Sequence, residues 1–197
     1  MTLFDKVKWI LGIFMVFILI VATNLIDKQH FLRVKNSVVT IYEDRLVAND
    51  LIFEMHCLIQ DKAEALAAMD STFFIERNSL INESIESFIV EFDKTRHTVK
   101  ERSLFEQYKQ NIESLKNSET AFINSKFTEK GNLNIHLKEV KENLYDLAKI
   151  QLSEGRRQMH ISQKSVDTIE LFTHIEIYML IILAIIVQVI VIYKPKV

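Results

Sequence analysis

Chain breakers are scarce here: three glycines and one proline, Pro195, in 197 residues. A sheet-rich domain needs turn residues about every 8–12 positions, so sheets are excluded and long helices are expected. With so few glycines, a phosphate-cradling loop has nowhere to form. No nucleophile elbow or paired catalytic carboxylates can be made out either, and no enzyme is expected. Cys57 is the only cysteine, which excludes an intrachain disulfide and a c-type haem attachment. The histidines (His30, His56, His97, His136, His160 and His174) include no pair spaced four apart around a glutamate and no Glu-x-x-His. Neither a metal nor a cofactor is expected. Charge is nearly balanced, with 24 basic and 26 acidic residues. The basic face that nucleic acid requires is therefore not expected.

Charge is also missing locally. None occurs from Trp9 to Ile26 or from Ile177 to Tyr193. With apolar flanks such as Val7, Phe172 and Ile175, each run reaches the roughly 20 residues that cross a hydrocarbon layer. A buried core helix is the plain alternative for each run, and a cleavable signal peptide is another for the first. The first run exceeds the usual apolar stretch of about 7–15 residues, and the region near Ala22 makes a poor cleavage site. The reading is two retained transmembrane helices, 9–26 and 177–193, with tails 1–8 and 194–197 and one domain, 27–176, between them. The tails carry Lys6, Lys8, Lys194 and Lys196 against Asp5, which places both termini in the cytoplasm. Lys28, Arg33 and Lys35 just beyond the first run pull the other way. Setting the tails aside leaves 20 basic and 25 acidic residues, a net of −5, for the rest.

Apolar spacing divides that domain into four helices. Phe31, Val34, Val38, Ile41, Ala48, Ile52, Met55, Ile59, Leu66 and Met69 recur at three and four, with Arg45 and Lys62 occupying positions in the same seam. Phe74, Ile81, Ile85, Phe88, Phe92 and Val99 form a second seam, and Phe105, Tyr108, Ile112, Leu115 and Phe122 a third. Leu133, Leu137, Val140, Leu144 and Leu147 form the fourth, continuing through Ile161, Phe172 and Ile175. Such spacing is that of a packed bundle. Asp70, Ser71 and Thr72 suit an N-cap, Thr98 with Glu101 and Ser103 with Glu106 fit capping boxes, and Gly131 with Asn132 fits a helix stop. The expected fold is all-α: an antiparallel up-down-up-down four-helix bundle flanked by two transmembrane helices.

One polar layer stands out within the seams. Arg45 lies above the first apolar run at about the height of Gln158 before the second, ~27 Å from the membrane. Gln151 and Glu154 follow on the same helical face. A charged seam residue must be paired or hydrated. Either Arg45 pairs with Glu154 and fixes helix register, or Arg45, Gln151, Glu154 and Gln158 receive a ligand carboxylate on the guanidinium fork. The basic turn of Arg96, His97, Lys100 and Arg102 reads as solvated, with an anion contact as the sharper alternative.

Two segments carry a family likeness. Ile41-Tyr42-Glu43-Asp44-Arg45-Leu46 is similar to the first-helix segment of a known four-helix sensory domain. The run Gln151-Leu152-Ser153-Glu154-Gly155, leading through Ser162 and Ser165 to the second apolar run, is similar to its last helix. Together with the arrangement of helices, this resembles the ligand-sensing module of bacterial methyl-accepting chemotaxis proteins. The resemblance implies the bacterial inner membrane, a bundle in the periplasm or outside, and a homodimer through the first helix. Leu51, Cys57 and Leu58, beside Phe53 and Ala65, are the candidate dimer edge, with contact inside the same bundle as the alternative. In that family the second span leads into a HAMP linker and a cytoplasmic signalling domain. Here Pro195 stands at the linker position and the sequence given closes at Val197. The expectation is a sensory module that signals through a separate protein. The alternative is a ligand-free scaffold subunit of a membrane or envelope complex.

Overall fold

A computed structural model describes residues 3–192. It is all-helical, with no strand among the described residues. Helix α1 (Leu3–Thr40) runs through a π turn (Ile41–Leu46) into α2 (Val47–Ala68). A second π turn (Phe73–Arg77) opens α3 (Asn78–Asp93), followed by α4 (Val99–Asn124) and α5 (Gly131–Ile192). The expected tail residues Lys194 and Lys196, together with Tyr193 and Pro195, lie outside the described residues.

The chain divides into two compact units, Val39–Arg157 and the pair of segments Met1–Val38 and Gln158–Val197. In the first unit the seams read from the sequence form the core. Ile52, Met55, Ile59, Ile85, Phe92, Phe105, Tyr108, Leu115, Phe122, Leu133, Leu144 and Leu147 are all buried. Each such side chain contributes about 1.5–3 kcal/mol of burial. Seam positions outside this core behave differently: Phe31, Val38 and Met69 are exposed. Val99 is exposed too, because it is the first residue of α4 and not the last of the second helix. Ile89 is buried and Phe88 half-buried at the place where the second seam was drawn through Phe88.

Polar cross-links give the order of contacts in this unit. Between α3 and α4, Glu86 meets Lys116 and Asp93 meets Arg102. Between α4 and α5, Glu101 meets Gln151 and Asn111 meets Asn143. Gln60 of α2 meets Lys141 of α5, and Arg45 meets Gln151. In each of these pairings, rising numbers on one helix meet falling numbers on the other. From α2 to α4 both rise together: Arg45 with Glu101, Met55 with Tyr108, Lys62 with Glu119.

Local chemistry sets the ends. Helix α2 stops at Met69, whose φ of 53° is left-handed. Its N–H donates to the Leu66 carbonyl and the next N–H, of Asp70, to Ala65, the Schellman pattern. Asp70 Oδ1 then accepts from the Phe73 N–H at 3.1 Å and starts the next helix. Helix α4 ends the same way, with Lys126 at φ 57° and the Phe127 N–H donating to Phe122. The expected stop at Gly131 is therefore a correction: that glycine opens α5, and no glycine takes a positive φ. Thr98 and Glu101 form the expected capping box at α4, while Ser103 lies inside the helix and caps nothing.

In the other unit, Ser37, Ser162 and Ser165 are buried. Leu11, Phe14, Met15, Phe17, Ile18, Val21 and Leu25 are exposed, as are Ile177 to Ile182, Ile185 and Ile186. Among the described residues, one helix, near the N-terminus, is long and apolar enough to cross a membrane.

Candidate functional site

Arg45 sits in the first π turn and is 8% exposed. A π turn accommodates one extra residue per turn. Here the interval between the buried residues Ser37 and Arg45 is eight, whereas Arg45, Ile52, Ile59 and Leu66 follow one another at seven. Arg45 Nη1 donates to Glu101 Oε2 at 3.0 Å and to Gln151 Oε1 at 3.0 Å. Nη2 donates to the Arg96 carbonyl at 3.3 Å. Gln151 Nε2 also donates to Glu101 Oε1, and the Thr98 N–H donates to Glu101 Oε2 at 3.1 Å. Glu101, fully buried, thus closes a helix cap and neutralises a guanidinium at once. One donor atom is left without any partner: Arg45 Nε is buried and unpaired.

The sequence places Arg45 and Gln151 in one layer, and the structure brings them together. It replaces the expected partner, however. Glu154 does not pair with Arg45; its carboxylate is held by Arg157, at 2.7 Å to Nη2. Gln158 is half-buried and belongs to the other compact unit. Glu101 is the residue that sequence reasoning missed. Its capping-box spacing disclosed it as a cap, and a carboxylate at a seam position three turns of the pattern before Ile112 was the signal for its second task.

Lys62 builds a second layer. Its Nζ donates to Glu119 Oε1 at 2.6 Å, Asn78 Oδ1 at 2.5 Å and Asn82 Oδ1 at 2.9 Å. The two asparagine amides donate to Glu119 Oε2 at 2.8 and 3.0 Å. Every ammonium hydrogen and both carboxylate oxygens are used. Burial pushes the Lys62 ammonium below its ordinary value, the Glu119 carboxylate pulls it part of the way back, and Lys116 adds a smaller lowering. Between the layers lies Tyr108, fully buried, its hydroxyl donating to Met55 Sδ at 3.3 Å. Burial first, and then the charge of Glu86, raise its phenol above the ordinary tyrosine value. Asn78 and Glu119 both stand at seam positions, so their polar character was the readable signal.

The basic turn is partly spent. Arg102 pairs with Asp93 at 2.5 Å, and the His97 ring stacks on Phe92 with centroids 5.1 Å apart. The candidate dimer edge divides: Leu51 and Leu58 pack against the unit's own core, Cys57 is half-buried, and Phe53 is exposed. Among the described residues no group of three or more His, Cys, Asp or Glu could hold a metal ion. Compared with protein-family models, curated proteins and solved structures, the chain matches none.

Proposed function

We propose that this chain is a membrane-anchored sensory module of the chemoreceptor type, acting through a separate signalling protein. In this reading α1/α2, α3, α4 and α5 form an antiparallel up-down-up-down bundle outside the cytoplasm. The falling and rising contact orders of its cross-links support that topology. Two spans, 9–26 and 177–193, hold it in a bacterial inner membrane with both termini inside, supported by the exposed apolar side chains of both segments.

The observation that carries the sensory reading is the contrast between the two layers. The Lys62 layer leaves no buried polar atom without a partner, whereas the Arg45 layer keeps Nε–H of a buried guanidinium unpaired. A buried donor left unpaired costs about 1–3 kcal/mol and calls for a reason. Nε–H and the neighbouring Nη2–H form the edge of arginine that grips a carboxylate with two parallel bonds. One turn beyond Gln151, Gly155 is half-buried with open space where a side chain would be. A small carboxylate on that edge would compete with the Arg96 carbonyl and loosen the turn between α3 and α4.

The scaffold reading has its own support: the chain's own Glu101 already occupies the end of the Arg45 fork, so both layers also serve as register pins. A mild-detergent pull-down of the tagged protein from native membranes, with mass spectrometry of the eluate, separates the two. A chemoreceptor or histidine kinase is expected. A stable transport or envelope complex with no signalling chain would overturn the sensory reading.

A further inference from the structure

The outer face of the helix around Arg45 has a composition of its own. Between Lys35 and Arg77 the only lysine and arginine are Lys62 and Arg45, and both are buried in the polar layers. Every other charge in that interval is acidic. Asp50, Glu54, Asp61 and Glu64 are exposed. The two cations are drawn inward, so the exterior they leave behind carries acids and apolar groups, with Asn49 and the imidazole of His56 exposed beside them.

The apolar groups are not scattered. Tyr42, Leu46 and Phe53 are 62%, 59% and 60% exposed. Their spacing of four and seven places them on one helical face. With Val47, Asn49 and Asp50 they form a shallow open patch on this one helix. The π turn contributes to this: it keeps Arg45 inward while Tyr42 and Leu46, on either side of it in the same turn, stay exposed. Lys141, which reaches this helix from α5, is spent on Gln60 at 2.7 Å. Helix α4, by contrast, exposes no large apolar residue beyond Val99 in its first turn among the described residues.

We infer that the Tyr42–Phe53 face docks a basic amphipathic helix of another protein, one whose apolar seam is flanked by lysine or arginine. The two aromatics and Leu46 supply the apolar anchor that an amphipathic helix needs on a partner's helix face. The acids beside them choose the partner's sign. A second copy of this chain meets the patch with the same acids, and like charges brought together across an interface disfavour the pairing. A basic partner is attracted by the same groups, and that attraction weakens as salt screens it.

The test uses the full-length protein in nonionic detergent and two synthetic helices with the same leucine seam, one flanked by lysine and one by glutamate. The lysine-flanked helix is expected to bind, less tightly as salt rises, and the glutamate-flanked helix is not. Phe53→Ser and Tyr42→Ser, both at exposed positions, are expected to weaken binding about tenfold or more with helix content unchanged. Asp50→Lys with Glu54→Lys is expected to reverse the preference between the two helices. Equal binding of both helices, or binding of neither, overturns the inference. Self-association of the protein that Phe53→Ser abolishes overturns it as well, because the occupant is then a second copy.

Discussion

Lys62 and Glu119 meet at 2.6 Å with their side chains 0% and 2% exposed, and among the described residues neither has another ion-pair partner. Removing one strands the other. Glu119→Ala is expected to cost about 3–5 kcal/mol in chemical denaturation of the detergent-solubilised protein. Lys62→Met combined with Glu119→Leu removes both charges and is expected to recover part of that loss. If the double variant is no more stable than the single one, the penalty belongs to the asparagine amides of Asn78 and Asn82.

Alkaline titration separates two buried groups of opposite sign. The Lys62 ammonium is held below the ordinary 10.5, so from that lowered value up to 10.5 the unfolded chain binds more protons than the folded one. Stability rises with pH across that window. Tyr108 is raised above the ordinary 10.0. Above pH 10 the unfolded phenol loses a proton that the folded one keeps, and stability falls. Lys62→Met should flatten the rise and Tyr108→Phe the fall, each read from denaturation midpoints against pH.

At the start of α4, two substitutions that remove the same cap should differ in size. Thr98→Ala loses the side-chain cap alone and is expected to cost about 1 kcal/mol. Glu101→Ala also leaves Arg45 buried without its carboxylate, and about 3–5 kcal/mol is expected. Equal losses would mean that the Arg45 pair adds nothing to the cap.

Met69 holds a left-handed backbone at φ 53° with an exposed side chain. A Cβ in that conformation costs about 1–2 kcal/mol, offset in part by the greater freedom glycine has when unfolded. Met69→Gly is therefore expected to raise stability by about 0.5–1 kcal/mol. The same measurement on Gly131→Ala, at a position that opens a helix with open space around it and no positive φ, should show no loss.

Much of the helical core was readable because heptad spacing needs no knowledge of the partner helix. Ile52, Met55 and Ile59, or Leu137, Val140 and Leu144, announce a buried face by themselves. The interior placement of Arg45 and Lys62 followed from the same spacing. Which carboxylate each cation meets did not follow, since that depends on how α4 is rotated and how high it stands against α2. Height along α5 pointed to Glu154, whereas rotation of α4 delivers Glu101. Helix stops misled for a different reason. Glycine is the cheap residue at a left-handed position, and this chain puts Met69 and Lys126 there instead. The π turns left no mark in composition; one shows only as an eight-residue step between Ser37 and Arg45 in a seven-residue rhythm.

Glu101 accepts the N–H of Thr98, the N-cap of α4, and the guanidinium of Arg45 with one carboxylate. Fraying at that end is ordinarily a local event of low free energy. Here the first turn cannot loosen without leaving a buried charge unpaired, and the interior cannot open without uncapping the helix. The amides at the α3–α4 connection should then exchange with solvent as slowly as the heart of the unit, in one cooperative opening, although they lie at the tip of a turn.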